Sequence, residues 1–175
     1  NENTWEIEEG YAVKDYRDNT VYVIEETSIQ GAVNKVAEGD TIEVNEGTYE
    51  ETVTVDINVT LEGPNVGIAG DSDDREAEAL VEGKIGLVAK GVTVDGLSVS
   101  PTTKFTPEDH KKAGIFVNAG NTKVINNIVT GVKGDAKNGA GSIHGIQVFK
   151  QSPERISDIE ISDNLIENIN NRGGD

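Results

Sequence analysis

Gly114-Ile115-Phe116-Val117 and Gly145-Ile146-Gln147-Val148, with a shorter echo in Gly86-Leu87-Val88, recur at intervals of 28 and 31 residues. A second series follows in the same order: Asp95-Gly96-Leu97, Asn126-Asn127-Ile128 and Asp163-Asn164-Leu165. A repeat in fixed order at this spacing marks a stacked architecture in which each unit contacts its neighbours. Each unit reads as strand, short turn, strand, two-residue polar turn, strand and long loop. Strands this short cannot bury a face alone. Stacked about 4.8 Å apart, however, they form parallel ladders around a continuous Val/Ile interior. Asn and Asp tolerate the backbone angles of the tight turn, and their side chains can bond from one unit to the next.

Working outward, the composition agrees with the repeat. The 175 residues hold 37 Val and Ile but only five Leu. β-Branched side chains lose rotamer freedom in helices and fit a pleated surface, which predicts an all-β chain rather than a helical bundle. Asp and Glu number 32 against 15 Lys and Arg, a formal charge of -17. No basic cluster is available for phosphate contacts, so nucleic acid is excluded as a partner and anionic membranes are disfavoured. Nor is there an apolar run of about 20 residues for membrane insertion. The absence of cysteine removes disulfides, thiolate metal sites and cysteine nucleophiles. The chain starts at Asn1, as a processed segment would, and an extracellular or cell-surface location is expected. The acidity also suits a halophilic habitat, where excess carboxylates keep a surface hydrated.

Residues 1–19 read as an irregular lead-in to a domain over residues 20–175. Val21-Tyr22-Val23-Ile24 predicts a strand. Thr27 and Gln30 then have capping-box spacing, and Ile29, Ala32, Val33 and Val36 share one face before Gly39, which predicts a helix over about residues 28–38. Thr41-Ile42-Glu43-Val44, Thr52-Val53-Thr54-Val55 and Val59-Thr60-Leu61 alternate as strands. A helix at the head of the stack would cover the open strand edges of the first unit. No such helix follows the last unit. The terminal coil is therefore expected either to continue into further coils of a longer solenoid or to self-associate end to end.

The order of helix, Gly39-Asp40-Thr41-Ile42-Glu43-Val44 and Gly47-Thr48-Tyr49-Glu50-Glu51 within residues 28–63 resembles the opening of right-handed parallel β-helix proteins of the pectin-lyase-like superfamily. The later Asn-Asn units extend the resemblance over most of residues 20–169. It implies a single-stranded right-handed parallel β-helix with an N-terminal capping helix. It also implies a polysaccharide groove along the ladder of Gly-Ile strands. Function stays open, because the same scaffold carries lyases, glycoside hydrolases, esterases, tailspikes and adhesins.

Loops 101–113 and 131–144 would wall that groove. Alternation puts Ile115, Val117, Ile146 and Val148 inward, with Phe116, Asn118, Gln147 and Phe149 outward. Phe116 and Phe149 are candidates to stack on sugar rings, with Asn118, His144, Gln147 and Lys150 as polar partners. The alternative is that the loops bury both rings. His110 and His144 are the only two histidines, candidates for a general base or for binding a metal, or else ordinary loop residues. Asp109 and Asp135 occupy the two loops, and hydrolysis would need carboxylates about 5–10 Å apart. Lys111, Lys112, Lys150 and Arg155 are the bases nearest the groove. Asp71, Asp73 and Asp74 offer oxygens to Ca2+, a hard cation, or form a solvated acidic turn. The expected function is an extracellular module that binds a polysaccharide or cell-surface glycan, or serves a structural role there. The alternative is the N-terminal part of a polysaccharide lyase or glycoside hydrolase. The negative charge disfavours polyuronate ligands.

Overall fold

The computed structural model describes residues 13–15, 19–24, 27–106, 111–135, 141–149 and 155–170. After β1 (Val13–Asp15), β2 (Thr20–Val23) and α1 (Ile29–Val33), the chain visits three sheets in rotation. One circuit is β3 (Thr41–Val44), β4 (Gly47–Tyr49) and β5 (Val53–Val55), and the next is β6 (Thr60–Glu62), β7 (Ala79–Val81) and β8 (Ile85–Leu87). Then come β9 (Thr93–Asp95), β10 (Ser98–Val99) and β11 (Ala113–Val117), followed by β12 (Thr122–Ile125), β13 (Ile128–Val129) and β14 (His144–Val148). A further circuit opens with β15 (Ile159–Ser162) and β16 (Leu165–Ile166).

Strands at the same stage of each circuit lie side by side. The first sheet runs β1-β2-β3-β6-β9-β12-β15, the second β4-β7-β10-β13-β16 and the third β5-β8-β11-β14. All of these pairings are parallel except that of β1 with β2. The all-β class and the parallel ladders are as the repeat predicts. The core consists of columns in register: Val21, Ile42, Leu61, Val94 and Val124 from the first sheet, Tyr49, Val81, Val99 and Val129 from the second, and Val55, Leu87 and Val117 from the third. All are buried.

In one unit the register differs from the sequence match by two residues. Ile85 lies beside Ile115 and Gly86 beside Phe116, so Gly86 is not the counterpart of Gly114. A slip of two leaves every side chain on its own face, so alternation cannot detect it. The Asn127 level shows a slip of one, because Ser98 lies beside Ile128 and Leu97 is therefore level with Asn127. With that register, Gly96, Asn126 and Asp163 stack at φ +73, +58 and +54, the left-handed region that Gly, Asn and Asp tolerate.

The helix is shorter than the predicted 28–38 and is capped differently. Ser28 is the N-cap, accepting a bond from the Gly31 N–H at 3.0 Å, while the Thr27 hydroxyl closes a turn with Ile24. The acidic partner comes from far along the chain. Glu51 accepts bonds from Ser28 Oγ, Ile29 N and Gln30 N at 2.9, 2.7 and 3.0 Å, satisfying donors that a helix start leaves open. Gln30 is thereby free to pair with the backbone of Thr54. Its Oε1 accepts from Thr54 N at 2.6 Å and its Nε2 donates to Thr54 O at 3.2 Å. The amide occupies the place of a missing strand neighbour and blunts the edge of β5. Beyond Asn34 the chain turns instead of continuing as helix, because the Asp40 carboxylate accepts from Ala37 N at 2.8 Å and Gly39 adopts φ +89.

One loop leaves the rotation. Residues 63–78, between β6 and β7, run along the stack of Gly96, Asn126 and Asp163 turns as a strap. Gly67 N donates to Asp95 Oδ1 at 3.1 Å and Gly70 N to Asp163 O at 2.8 Å. Arg75 then anchors the return. Its guanidinium forms a fork to the Glu78 carboxylate at 2.8 and 2.9 Å, and it donates to the carbonyls of Ile68 and Asn126 at 2.9 and 2.8 Å.

Candidate functional site

The ladder β5-β8-β11-β14 places Thr54, Gly86, Phe116 and Gln147 side by side on its outward face. The two rings of the expected aromatic platform differ in exposure. Phe116 is only 1% exposed, whereas Phe149 is 49% exposed. The rings touch, with centroids 6.5 Å apart and planes inclined by 40°. Lys111 covers the Phe116 ring, its Nζ 4.9 Å from the centroid, a cation–π arrangement. The loop residue thus claims one ring and leaves the other half free. Alternation assigns a face correctly, but it cannot say whether a loop folds over that face.

The remaining candidates divide as follows. Gln147 sits next to Phe116 on the ladder, and its Oε1 is buried with no hydrogen-bond partner among the described residues. Asn118 follows β11 and is half-buried, its N–H bonded to Leu87 O at 2.9 Å. His144 pairs with Ala113 at the head of β14 and is half-buried. Lys150, His110 and Asp109 lie outside the described residues. Asp71, Asp73 and Asp74 are exposed at the tip of the strap. Among the described residues no group of three or more His, Asp or Glu side chains is placed to hold a metal ion. The strap instead closes on itself, with Ser72 Oγ accepting from Asp74 N at 3.1 Å.

Sequence reasoning missed a cleft of about 380 Å³ where the second sheet turns into the third. Its walls include Thr52, Glu82, Lys84, Thr103 and Lys104, with Phe105 at its base. Phe105 is buried and joins the core cluster, and Lys84 Nζ lies 5.5 Å from its ring centroid. The described parts of the two long loops also pair with each other. Phe105 bridges Gly134 in parallel, Phe105 N donates to Lys133 O at 2.8 Å, and Asp135 N donates to Phe105 O at 2.8 Å. Phe105, the chain's remaining Phe and the one large apolar residue of loop 101–113, was the one available signal.

A second concavity, of about 530 Å³, opens on the first sheet and is lined by Glu43, Glu46, Glu62 and Val66 among others. Glu43, Glu62 and Asp95 occupy consecutive rungs of one outward column. Burial of Glu62, then its neighbours Glu43 and Asp95, raise its pKa above the ordinary carboxylate value. A raised folded-state pKa means that ionised Glu62 opposes folding above that pKa, and that this penalty fades as pH falls toward the unfolded-state value. Glu62→Gln is expected to raise the thermal midpoint at neutral pH. Its advantage over the parent chain should shrink on acidification through that window. Parallel melting curves over the pH series check this, and an advantage that grows toward acid would refute the assignment.

No protein-family model matches the chain, and neither a curated protein nor a solved structure does.

Proposed function

We propose that the chain is a right-handed parallel β-helix of the pectin-lyase-like kind, working as an extracellular module that binds a neutral polysaccharide or cell-surface glycan. The rotation of short strands through three parallel sheets supports the fold reading. The observation that carries the binding reading is the half-exposed Phe149 ring, braced against buried Phe116 on the adjacent rung. A sugar presents a C–H face to such a ring and hydroxyls to its surroundings, and an aromatic braced from behind loses little freedom on binding. The separate cleft where the second sheet turns into the third offers Thr, Glu and Lys groups that suit hydroxyls. The net charge of -17 favours neutral over uronate glycans.

Titration with neutral oligosaccharides, followed by calorimetry, tests the proposal. Phe149→Ala is expected to weaken binding about tenfold, the effect of losing roughly 1.4 kcal/mol, with the fold intact because the ring is half exposed. Unchanged affinity in this variant, or no retained glycan at all, would remove the platform.

A further inference from the structure

The cleft where the second sheet turns into the third departs from the acidic character of the chain. The formal charge is -17 overall, yet of the charged residues that line this space of about 380 Å³, Glu50 and Glu82 are matched by Lys84 and Lys104. The fifth, Glu51, is engaged at the start of α1. The four matched charges do not neutralise one another, because among the described residues none of them joins an ion pair.

Glu82 and Lys84 are the half-buried pair of the four, and Glu50 and Lys104 are exposed at the rim. The backbone under both inner residues is fixed. Glu82 N donates to Tyr49 O at 2.9 Å, Glu82 O accepts from Thr102 N at 3.3 Å, and Lys84 O accepts from Val53 N at 2.9 Å. Between them lies Gly83, where a Cβ would strike the Glu51 carbonyl oxygen. The wall separating the carboxylate from the ammonium is therefore bare backbone. Lys84 Nζ lies 5.5 Å from the Phe105 ring centroid, and the Phe105 backbone is itself bonded to Lys133 and Asp135. The ammonium is thus held against a ring that the loop pairing keeps in place.

A half-buried carboxylate and a half-buried ammonium have each lost part of their water, and neither has the counter-charge that would offset the loss. A ligand of one sign would answer one group and meet repulsion from the other. A ligand carrying both signs answers both. Two residues apart, the Cα atoms of Glu82 and Lys84 are at most about 7 Å from each other, a span similar to that between the termini of an extended dipeptide.

We propose that the cleft binds a small zwitterion, a short peptide with free termini, whose ammonium meets Glu82 and whose carboxylate meets Lys84. Glu50 and Lys104 at the rim reinforce the two signs. The inference stands apart from the Phe149 ring, which carries the glycan reading.

The probe is glycylglycine, compared with its N-acetyl form, which keeps only the carboxylate, and its C-terminal amide, which keeps only the ammonium. Each is titrated into the 175-residue chain and followed by backbone amide chemical shifts. Glycylglycine is expected to bind at least about tenfold more tightly than either blocked form and to shift the resonances of residues 82–84. Glu82→Gln should remove the preference over the acetylated form and keep the preference over the amide, and Lys84→Gln should do the reverse. Circular dichroism verifies that both variants fold. Phe149→Ala should leave all three affinities unchanged, so the two readings fail separately. No binding of glycylglycine, or equal binding of the three probes, would overturn the proposal. Tighter binding of the acetylated form would also overturn it, in favour of a simple anion site on Lys84 and Lys104.

Discussion

Asn127→Ala is expected to lower the unfolding free energy by about 3–4 kcal/mol, the cost of several lost buried hydrogen bonds and a stranded donor. Asn127 has no exposed surface, and its side chain ties three levels of the stack together. Its Oδ1 accepts from Leu97 N at 3.0 Å on one side. Its Nδ2 donates to Val94 O and Ile125 O at 3.1 and 2.7 Å, and to Asn164 Oδ1 at 3.0 Å on the other side. Asn164 repeats the pattern one rung on, donating to Val124 O and Ser162 O at 2.7 and 2.8 Å. Removing Asn127 leaves the buried Leu97 N–H without its acceptor.

Because stacked units are stabilised mainly by their neighbours, the loss should appear in hydrogen exchange as early opening of β9 through β16, with β2 to β6 still protected. Asn127→Asp sharpens the test. It keeps an acceptor for Leu97 but sets a carboxylate against the carbonyls of Val94 and Ile125. Its folded-state pKa would therefore be raised, and stability should recover as pH falls. A mild, pH-independent effect in both variants would contradict the ladder.

Arg75→Ala should cost about 3 kcal/mol, near the lower end for breaking a buried charge pair whose partner keeps some solvent contact. The Arg75 side chain is 6% exposed and that of Glu78 27%, and Glu78 also accepts from Ser98 Oγ at 2.9 Å. Loss of the guanidinium strands Glu78 and frees the carbonyls of Ile68 and Asn126. The strap should then become a site of limited proteolysis between residues 66 and 74. Arg75→Lys is expected to restore little, because a point charge cannot serve a carboxylate fork and two carbonyls at once. An Arg75→Ala chain as resistant to protease as the parent would show that the strap is held by its other contacts.

The fold was legible where the sequence repeats local demands. Alternating Val and Ile marked the inward columns, and Asn126 and Asp163 marked turns that need positive φ, because these requirements act within a few residues. Phe116 shows the limit of that reading. Its outward face was deducible, but Lys111 from a neighbouring loop decided its exposure. Glu51 shows another limit, since nothing in a capping-box spacing announces a carboxylate arriving from 21 to 23 residues away.

By itself the sequence determined the class and the rotation of the chain: β-branched columns and left-handed Asn and Asp turns, with a formal charge of -17. Tertiary structure alone decided which rungs align, where the strap of residues 63–78 lies, and which apolar residues stay uncovered. The physical reason is range. Backbone propensity and alternation are properties of adjacent residues and survive a register slip of two, whereas the Arg75 anchor, the Gln30 edge and the exposed Ile161 exist only once residues 24 to 51 positions apart are brought together at a particular level.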